Sequence, residues 1–117
     1  MFLATKTSNF SALMGYKYLV DTSTGVVTAT LPASPAEGDC IEFYDSKANW
    51  NVHHFTIARN GNPIAGDASD LICDVSNIGL KLTYTNPTVG WHLATDLGSL
   101  QPLLTEAYFS PFLLMGT

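Results

Sequence analysis

Charge is what this sequence has least of. Asp, Glu, Lys and Arg together make up 13% of the 117 residues, whereas soluble domains average about 25%. Thr, Ser and Asn supply much of the polar surface instead. A surface with so few charges has little like-charge repulsion to keep it apart from other proteins, so we expect other subunits to cover part of it.

Basic residues are especially scarce, and they are scattered along the chain rather than clustered. The chain carries a net charge of −5 and has five basic side chains: Lys6, Lys17, Lys47, Arg59 and Lys81. Phosphate contacts need clustered Lys and Arg, so no nucleic-acid partner is expected. No stretch reaches the roughly 18 apolar residues of a membrane-spanning helix, so no membrane insertion is expected either.

Cysteine occurs only twice. Cys40 is out of phase with its apolar neighbours Ile41 and Phe43, so it should point away from their face. Cys73 is in phase with apolar neighbours and should be buried. We therefore expect two free thiols that pack as small apolar groups, as suits a protein made in a reducing cytoplasm.

The residue patterns that carry chemistry are missing as well. His53 and His54 are adjacent, so in a strand they point to opposite faces, and no Cys-x-x-Cys or His-x-x-x-His spacing exists. Asp67, Asp70 and Asp74 lie close in sequence but lack the pattern of a calcium loop. There is no Gly-x-Ser-x-Gly elbow and no evident carboxylate pair. We expect no enzyme, no metal and no cofactor.

What the sequence does have, from residue 16 onward, is a series of short runs in which apolar and polar residues alternate as they do in β-strands. Val27, Ala29 and Leu31, for example, alternate with Thr28 and Thr30, which is typical of a strand with one wet face. About eight such runs follow one another, with turn signals about every 8 to 12 residues. No run has a helical period. This series of short alternating runs predicts an all-β domain over residues 16–98, either an antiparallel β-sandwich or a jelly-roll-like barrel.

Two segments rich in Pro, Gly, Asn and Asp separate these strands. Residues 31–39 (LPASPAEGD) lie between two of the predicted strands, and residues 59–67 (RNGNPIAGD) follow a third. Asn60 and Gly61, in the second segment, form the strongest hairpin signal of the chain. Both segments are expected to reverse the chain direction.

The two ends of the chain lack this alternating strand pattern. Residues 1–15 are expected to form an arm that either lies on a neighbouring subunit or packs as a terminal strand or coil on its own domain. Residues 99–117 form an apolar tail that is expected to make subunit contacts, with folding back onto its own domain as the alternative. The candidate interface residues are Phe2, Leu3, Phe10, Leu103, Leu104, Tyr108, Phe109, Phe112, Leu113 and Leu114.

A series of short motifs follows in a characteristic order over residues 16–93. They are 18–23 (YLVDTS), 27–32 (VTATLP), 35–39 (PAEGD), 41–45 (IEFYD), 55–61 (FTIARNG), 64–66 (IAG) and 90–93 (GWHL). In this order they resemble a small β-domain of tailed-bacteriophage virion proteins, which recurs in tail fibres and other structural components. The resemblance implies a role in particle architecture, commonly as a homotrimer, and carries over no catalytic residue.

Fibre proteins are usually long, whereas here the domain stands nearly alone. The leading expectation is therefore a capsid decoration or cement protein, or a small tail-associated subunit, located in the virion and assembled in the host cytoplasm. Its expected partners are itself, as a homotrimer, and phage capsid or tail proteins, held by multivalent contacts. The alternative is a tail-fibre subunit that binds a host surface polysaccharide through aromatic residues such as Trp50 and Trp91 and through loops such as residues 45–51.

Overall fold

The computed structural model of the chain describes residues 2–96, and it confirms the all-β class. Met1 and residues 97–117, which include the whole of the predicted tail, lie outside the described part of the chain. Within residues 2–96 there are nine strands and no helix. The strands are β1 (Phe2–Lys6), β2 (Phe10–Ser11), β3 (Tyr16–Val20), β4 (Val27–Thr30), β5 (Cys40–Asp45), β6 (Phe55–Ala58), β7 (Leu71–Cys73), β8 (Gly79–Asn86) and β9 (Gly90–Asp96).

These strands form two mixed sheets, and this corrects the expectation of a purely antiparallel fold. The five-stranded sheet has the order β1-β3-β5-β8-β9, and the four-stranded sheet has the order β2-β4-β6-β7. The pairs β1–β3, β3–β5, β2–β4 and β4–β6 are parallel. Only the pairs β5–β8, β6–β7 and β8–β9 are antiparallel.

The parallel pairing arises because the chain coils between the sheets. Strands β1 to β6 alternate strictly from one sheet to the other, so each new strand lies beside the strand two positions earlier. A parallel connection usually needs a helix of a dozen or more residues to return the chain. Here the strand in the opposite sheet makes that return, and therefore short turns suffice. We call β1–β6 the parallel coil.

The first 15 residues are the first turn of this coil. β1 pairs with β3 from Phe2 opposite Tyr16 to Lys6 opposite Val20. β2 pairs with β4, and Phe10 lies opposite Ala29. Of the two arrangements that the sequence left open for this segment, the structure has the terminal strand on its own domain.

Aromatic rings join the inner faces of the two sheets. Tyr18 and Phe43 stack with their centroids 5.7 Å apart in the five-stranded sheet. Phe43 meets Phe55 of the other sheet at 5.2 Å, and Phe55 meets Trp50 at 4.8 Å. Phe10 of β2 packs on Tyr18 at 4.7 Å. Ring pairs at these distances contribute about 0.5–1.5 kcal/mol each beyond their buried area.

A buried carboxylate organises the loop after β5. Asp45 is 7% exposed. Its Oδ1 accepts a hydrogen bond from the backbone N of Asn49 at 3.0 Å, and its Oδ2 accepts from the backbone N atoms of Trp50 at 3.1 Å and Asn77 at 2.9 Å. Three donors therefore compensate the burial of this carboxylate, and they tie two loops to one side chain.

The predicted hairpin at Asn60 and Gly61 forms a turn but not a two-residue hairpin. Both residues have positive φ angles, 52° and 95°, as a type I′ turn requires. However, β6 pairs with β7, which begins at Leu71 after a longer connection. The Asn60 side chain donates instead to the carbonyl oxygen of Leu31 at 2.9 Å, so the turn is bonded to the other Pro- and Gly-rich segment.

Candidate assembly interface

Four exposed apolar residues lie on two neighbouring segments at the first turn of the parallel coil, and the side chains of Phe2 and Leu3 point to opposite faces of β1. Phe2 is 70% exposed, Leu3 63%, Leu13 55% and Met14 40%. The backbone N of Phe2 donates to the carbonyl oxygen of Gly15 at 3.0 Å, so the start of β1 lies beside the segment that carries Leu13 and Met14. We call these four residues the N-terminal surface.

Among the strands of residues 2–96, β1 is an edge of the five-stranded sheet, and the N-terminal surface adjoins this edge. Hydrogen bonds to β3 begin at Phe2, which donates to Gly15, and end at Lys6, whose carbonyl oxygen accepts from the backbone N of Asp21 at 2.8 Å. In a parallel ladder, alternate residues bond the neighbouring strand. Phe2, Ala4 and Lys6 therefore bond β3, whereas Leu3 and Thr5 direct their N–H and C=O groups to the open side.

The edge of β1 has few of the features that keep sheet edges from pairing. Natural proteins protect such edges with charged residues, proline, bulges or very short strands. β1 has five residues, and its register with β3 is continuous, without a bulge. Its one charged residue, Lys6, stands at the end of the strand, with its Nζ 5.5 Å from the centroid of the Phe10 ring. Another extended strand can therefore pair with Leu3 and Thr5.

Rings behind β1 hold the N-terminal surface in place. The Phe2 ring lies 5.5 Å from that of Tyr16, which stacks on Tyr18 at 5.4 Å. The Tyr18 hydroxyl accepts a hydrogen bond from the backbone N of Leu13 at 2.8 Å. Burial raises the pKa of Tyr18 above its ordinary value. Because this hydroxyl stays protonated at neutral pH, it anchors the Leu13 segment without adding charge.

The interface residues predicted from sequence fall into three groups. Phe2 and Leu3 are exposed and belong to the N-terminal surface. Phe10 is half-buried and packs against the core, so it supports the surface rather than forming it. The predicted tail residues lie outside the described part of the chain: Leu103, Leu104, Tyr108, Phe109, Phe112, Leu113 and Leu114.

Leu13 and Met14 belong to the apolar residues of the predicted N-terminal arm but are not among the candidate interface residues predicted from sequence. The signal that marks them is Gly15, which has a φ of +82° and turns the chain directly into β3. Leu13 and Met14 lie in the first turn of the parallel coil. Within residues 2–96 no earlier turn of the coil covers them.

Four of the aromatic residues considered for a sugar-binding face are buried. Trp50 and Trp91 are 0% exposed, Tyr18 is 2% exposed and Tyr84 is 8% exposed. These rings fill the core and cannot stack on a ligand from solvent. Two grooves on the outside, both beside β2, have a largely polar lining instead. One groove of about 450 Å³ is lined by Thr7, Ser8, Asn9, Thr24, Gly25 and Val26.

The histidines and aspartates make local contacts. His53 Nδ1 lies 2.8 Å from the carbonyl oxygen of Thr22, and Asp70 accepts a hydrogen bond from the backbone N of Arg59 at 3.0 Å. Within residues 2–96, no three His, Cys, Asp or Glu side chains come together as a metal site would require.

Both cysteines are free thiols, as expected from sequence. Cys40 is half-buried, and its Sγ lies 3.4 Å from the carbonyl oxygen of Gly38. Cys73 is buried on the inner face of β7, and burial raises its pKa to about 12.

Comparisons with known proteins assign no family to the chain. No protein-family model matches the chain, and no curated protein matches it either. Over residues 2–96, no helix is both long and apolar enough to cross a membrane.

Proposed function

We propose that this chain is a structural subunit of a bacteriophage virion that works by protein–protein contacts. Within that class we favour a capsid decoration or cement protein, or a small tail-associated subunit. The observation that supports an assembly role is the N-terminal surface, where exposed apolar side chains adjoin an unprotected strand edge. The motif order over residues 16–93 supports the virion context.

The contact at this surface combines two kinds of interaction. Strand pairing at Leu3 and Thr5 supplies directional main-chain hydrogen bonds. Burial of Phe2, Leu13 and Met14 supplies apolar area, at about 25 cal/mol per Å² removed from water. The low charge of the whole chain, 13%, leaves little repulsion to oppose such contacts.

The symmetry of self-assembly follows from which surface meets β1. If β1 of one copy pairs with β1 of another, the contact is isologous and produces a dimer. A homotrimer, which the resemblance implies, needs a heterologous contact between β1 and a different surface of the next copy. β9 is one such surface, because it is the other edge of the same sheet.

Sedimentation velocity of the full chain over a range of concentrations tests the assembly role. We expect an oligomer that Leu3→Arg converts to monomer, because the charge interrupts both the apolar surface and the edge. Val52→Arg is the matched control, since Val52 is as exposed as Leu3, 63%, and lies on a different loop. The proposal is contradicted if the chain stays monomeric at all concentrations. It is also contradicted if Val52→Arg has the same effect on the oligomer as Leu3→Arg.

The virion context has its own test. Quantitative mass spectrometry of purified phage particles should detect the chain. A high copy number indicates the capsid, and a small multiple of the tail symmetry indicates the tail. Absence of the chain from particles would overturn the virion role while leaving self-assembly untouched.

A second candidate is receptor binding to a host surface polysaccharide. It is favoured by the uncharged grooves beside β2, because hydroxyl and amide side chains pair well with sugar hydroxyls. Asn9 lines both the larger groove and its neighbour, which also contains Thr28 and Thr30. Glycan-array binding that Thr28→Val and Thr30→Val abolish would support this candidate, and absence of binding would exclude it.

A further inference from the structure

The side chains and main-chain groups of β1 alternate in a pattern that restricts which strand can pair with its open edge. Even-numbered residues of β1 face the core, because Ala4 lies opposite the buried Tyr18. The outer face carries Leu3 and Thr5, whose N–H and C=O groups point to the open side. The one charge of the strand is at its end, on Lys6. A partner strand must match both this alternation and this charge.

A second copy of β1 matches the pattern when it runs antiparallel and the two strands are centred on Ala4. In this register, Leu3 of each copy exchanges main-chain hydrogen bonds with Thr5 of the other. Ala4 lies opposite Ala4 of the other copy in a pair without hydrogen bonds, where the Cα atoms are about 4.5 Å apart. This register pairs all five residues of β1. The registers centred on Leu3 or on Thr5 pair fewer of them.

The same register keeps the two positive charges apart and places each beside an aromatic ring. The two copies of Lys6 lie at opposite ends of the ladder, about 14 Å apart along the strands. This separation exceeds the Debye length of about 8–10 Å at ordinary ionic strength. Each Lys6 lies opposite Phe2 of the other copy, on the core side, and the Phe2 ring is 70% exposed. A lysine beside such a ring gains a cation–π interaction.

The other edge of the same sheet, β9, is less open than β1. The backbone N of Trp91 donates to the carbonyl oxygen of Pro63 at 2.9 Å, and its carbonyl oxygen accepts from the backbone N of Ala65 at 2.8 Å. The start of β9 is therefore bonded on both sides. Among the strands of residues 2–96, β1 pairs with β3 alone. These contacts favour pairing of β1 with itself over pairing of β1 with β9.

We propose that the N-terminal surface binds a second copy of this chain through an antiparallel β1–β1 ladder centred on Ala4. The five-stranded sheets of the two copies then form one continuous sheet across a twofold axis. The assembling unit is therefore a dimer, which departs from the homotrimer that the resemblance implies.

This inference rests on the proposed assembly role of the N-terminal surface, and it adds the partner, the strand direction and the register. Loss of the oligomer in Leu3→Arg shows only that the surface is used. The register has to be tested by a measurement that depends on which residues of the two copies lie opposite each other.

Cysteine cross-linking of the full chain is such a measurement. In a Cys40→Ser background, Ala4→Cys should give a disulfide-linked dimer on oxidation with copper phenanthroline. The two copies of residue 4 come within the Cα separation of about 4.4–6.8 Å that a disulfide spans. Thr5→Cys is the matched control on the same strand, because its two copies lie about 8–9 Å apart in this register and cannot be bridged. Cys73 is buried and stays in place.

A mixture of two variants keeps the test valid if Ala4→Cys disturbs folding. Phe2→Cys and Lys6→Cys should cross-link when the two proteins are mixed, because residues 2 and 6 lie opposite each other in the ladder. Neither variant should cross-link alone. Sedimentation velocity of the wild-type chain at the same concentration should show a dimer.

The possible results separate this inference from the proposed function. Oligomers that form while both Ala4→Cys and the mixed variants fail to cross-link overturn the inference and leave the assembly role intact. A wild-type trimer has the same consequence. Cross-linking of Thr5→Cys as efficient as that of Ala4→Cys overturns the register. A wild-type chain that stays monomeric at all concentrations contradicts both the inference and the assembly role.

Discussion

Leu3 lies opposite Lys17 in the parallel ladder, yet its own N–H and C=O groups point away from that neighbour, to the open side of β1. Proline at position 3 therefore removes a donor that makes no bond to β3. Proline at position 4 removes one that does. We expect Leu3→Pro to lower the free energy of unfolding by less than about 1 kcal/mol, since edge strands tolerate such a proline. Ala4→Pro should lower it by about 1–3 kcal/mol, because it removes a ladder hydrogen bond and leaves the β3 carbonyl oxygen without its donor.

Urea denaturation followed by tryptophan fluorescence measures both variants, because Trp50 and Trp91 are fully buried. Leu3→Ala separates the loss of the leucine side chain from the effect of the proline ring. Equal destabilisation by Leu3→Pro and Ala4→Pro would mean that the alternation along β1 is not as described.

Asp45 should be the most sensitive carboxylate in residues 2–96. Asp45→Ala leaves three backbone donors without their acceptor, at Asn49, Trp50 and Asn77. An unsatisfied buried donor costs about 1–3 kcal/mol, so we expect a loss of at least about 3 kcal/mol in the same urea assay. Asp70→Ala, which removes one exposed bond to Arg59, should cost less than about 1 kcal/mol. Similar losses for the two variants would contradict the role assigned to Asp45.

Gly90 should tolerate no side chain. It has a φ of +72°, and an added Cβ would lie 1.9 Å from the carbonyl oxygen of Pro63. Gly66 has a similar φ of +80° but open space around it. Gly66→Ala should cost about 1 kcal/mol for its backbone conformation alone. Gly90→Ala should cost at least about 3 kcal/mol more, because the backbone must move. Thermal unfolding of both variants distinguishes these effects, and equal losses would exclude the contact with Pro63.

Cys73 should resist alkylation that Cys40 does not. Burial raises the pKa of Cys73 from 9.0 to about 12, so almost no thiolate forms at pH 8, and the thiolate is the reactive species. Mass mapping after brief treatment with iodoacetamide should find Cys40 modified and Cys73 unmodified. Equal labelling of the two thiols in the folded chain would contradict the burial of Cys73.

The same shift makes stability depend on alkaline pH. In the unfolded chain the Cys73 thiol ionises near 9.0, but in the folded chain it ionises near 12. The folded state thus holds this proton more tightly than the unfolded state does. The contribution of the thiol to the free energy of unfolding is therefore complete below pH 9 and is lost as the pH rises toward 12. Cys73→Val should flatten this part of the stability profile. An unchanged profile would show that other groups cause the decline.

From residue 16 onward, strand positions could be predicted from sequence, whereas β1, β2 and the strand pairing could not. The alternation of β4, with Val27 and Ala29 inward and Thr28 and Thr30 outward, marks a strand whichever neighbour it has. It usually accompanies antiparallel pairing, because parallel sheets are commonly covered on both faces. Here the outer face of the parallel coil carries polar residues that face solvent. The alternation along a single strand therefore does not show whether its neighbouring strand is parallel or antiparallel.

The candidate site was only partly predictable for a related reason. The sequence predicts Phe2 and Leu3 as interface residues because they are large apolar residues in a segment with no sustained strand or helix period. Their exposure depends on β1 being an edge strand, which follows from pairing and not from composition. Leu13 and Met14 became part of the surface through the bond between Phe2 and Gly15, a contact between residues that no short motif connects.

Residue-resolved hydrogen exchange of β1, measured by NMR at low and high protein concentration, tests whether the edge of β1 is the assembly interface. We predict that the Leu3 and Thr5 amides exchange freely in the monomer and become protected as the protein assembles. The Ala4 amide, which bonds β3, should be protected at both concentrations. If Leu3 and Thr5 exchange equally fast in monomer and assembly, the edge of β1 is not the assembly interface.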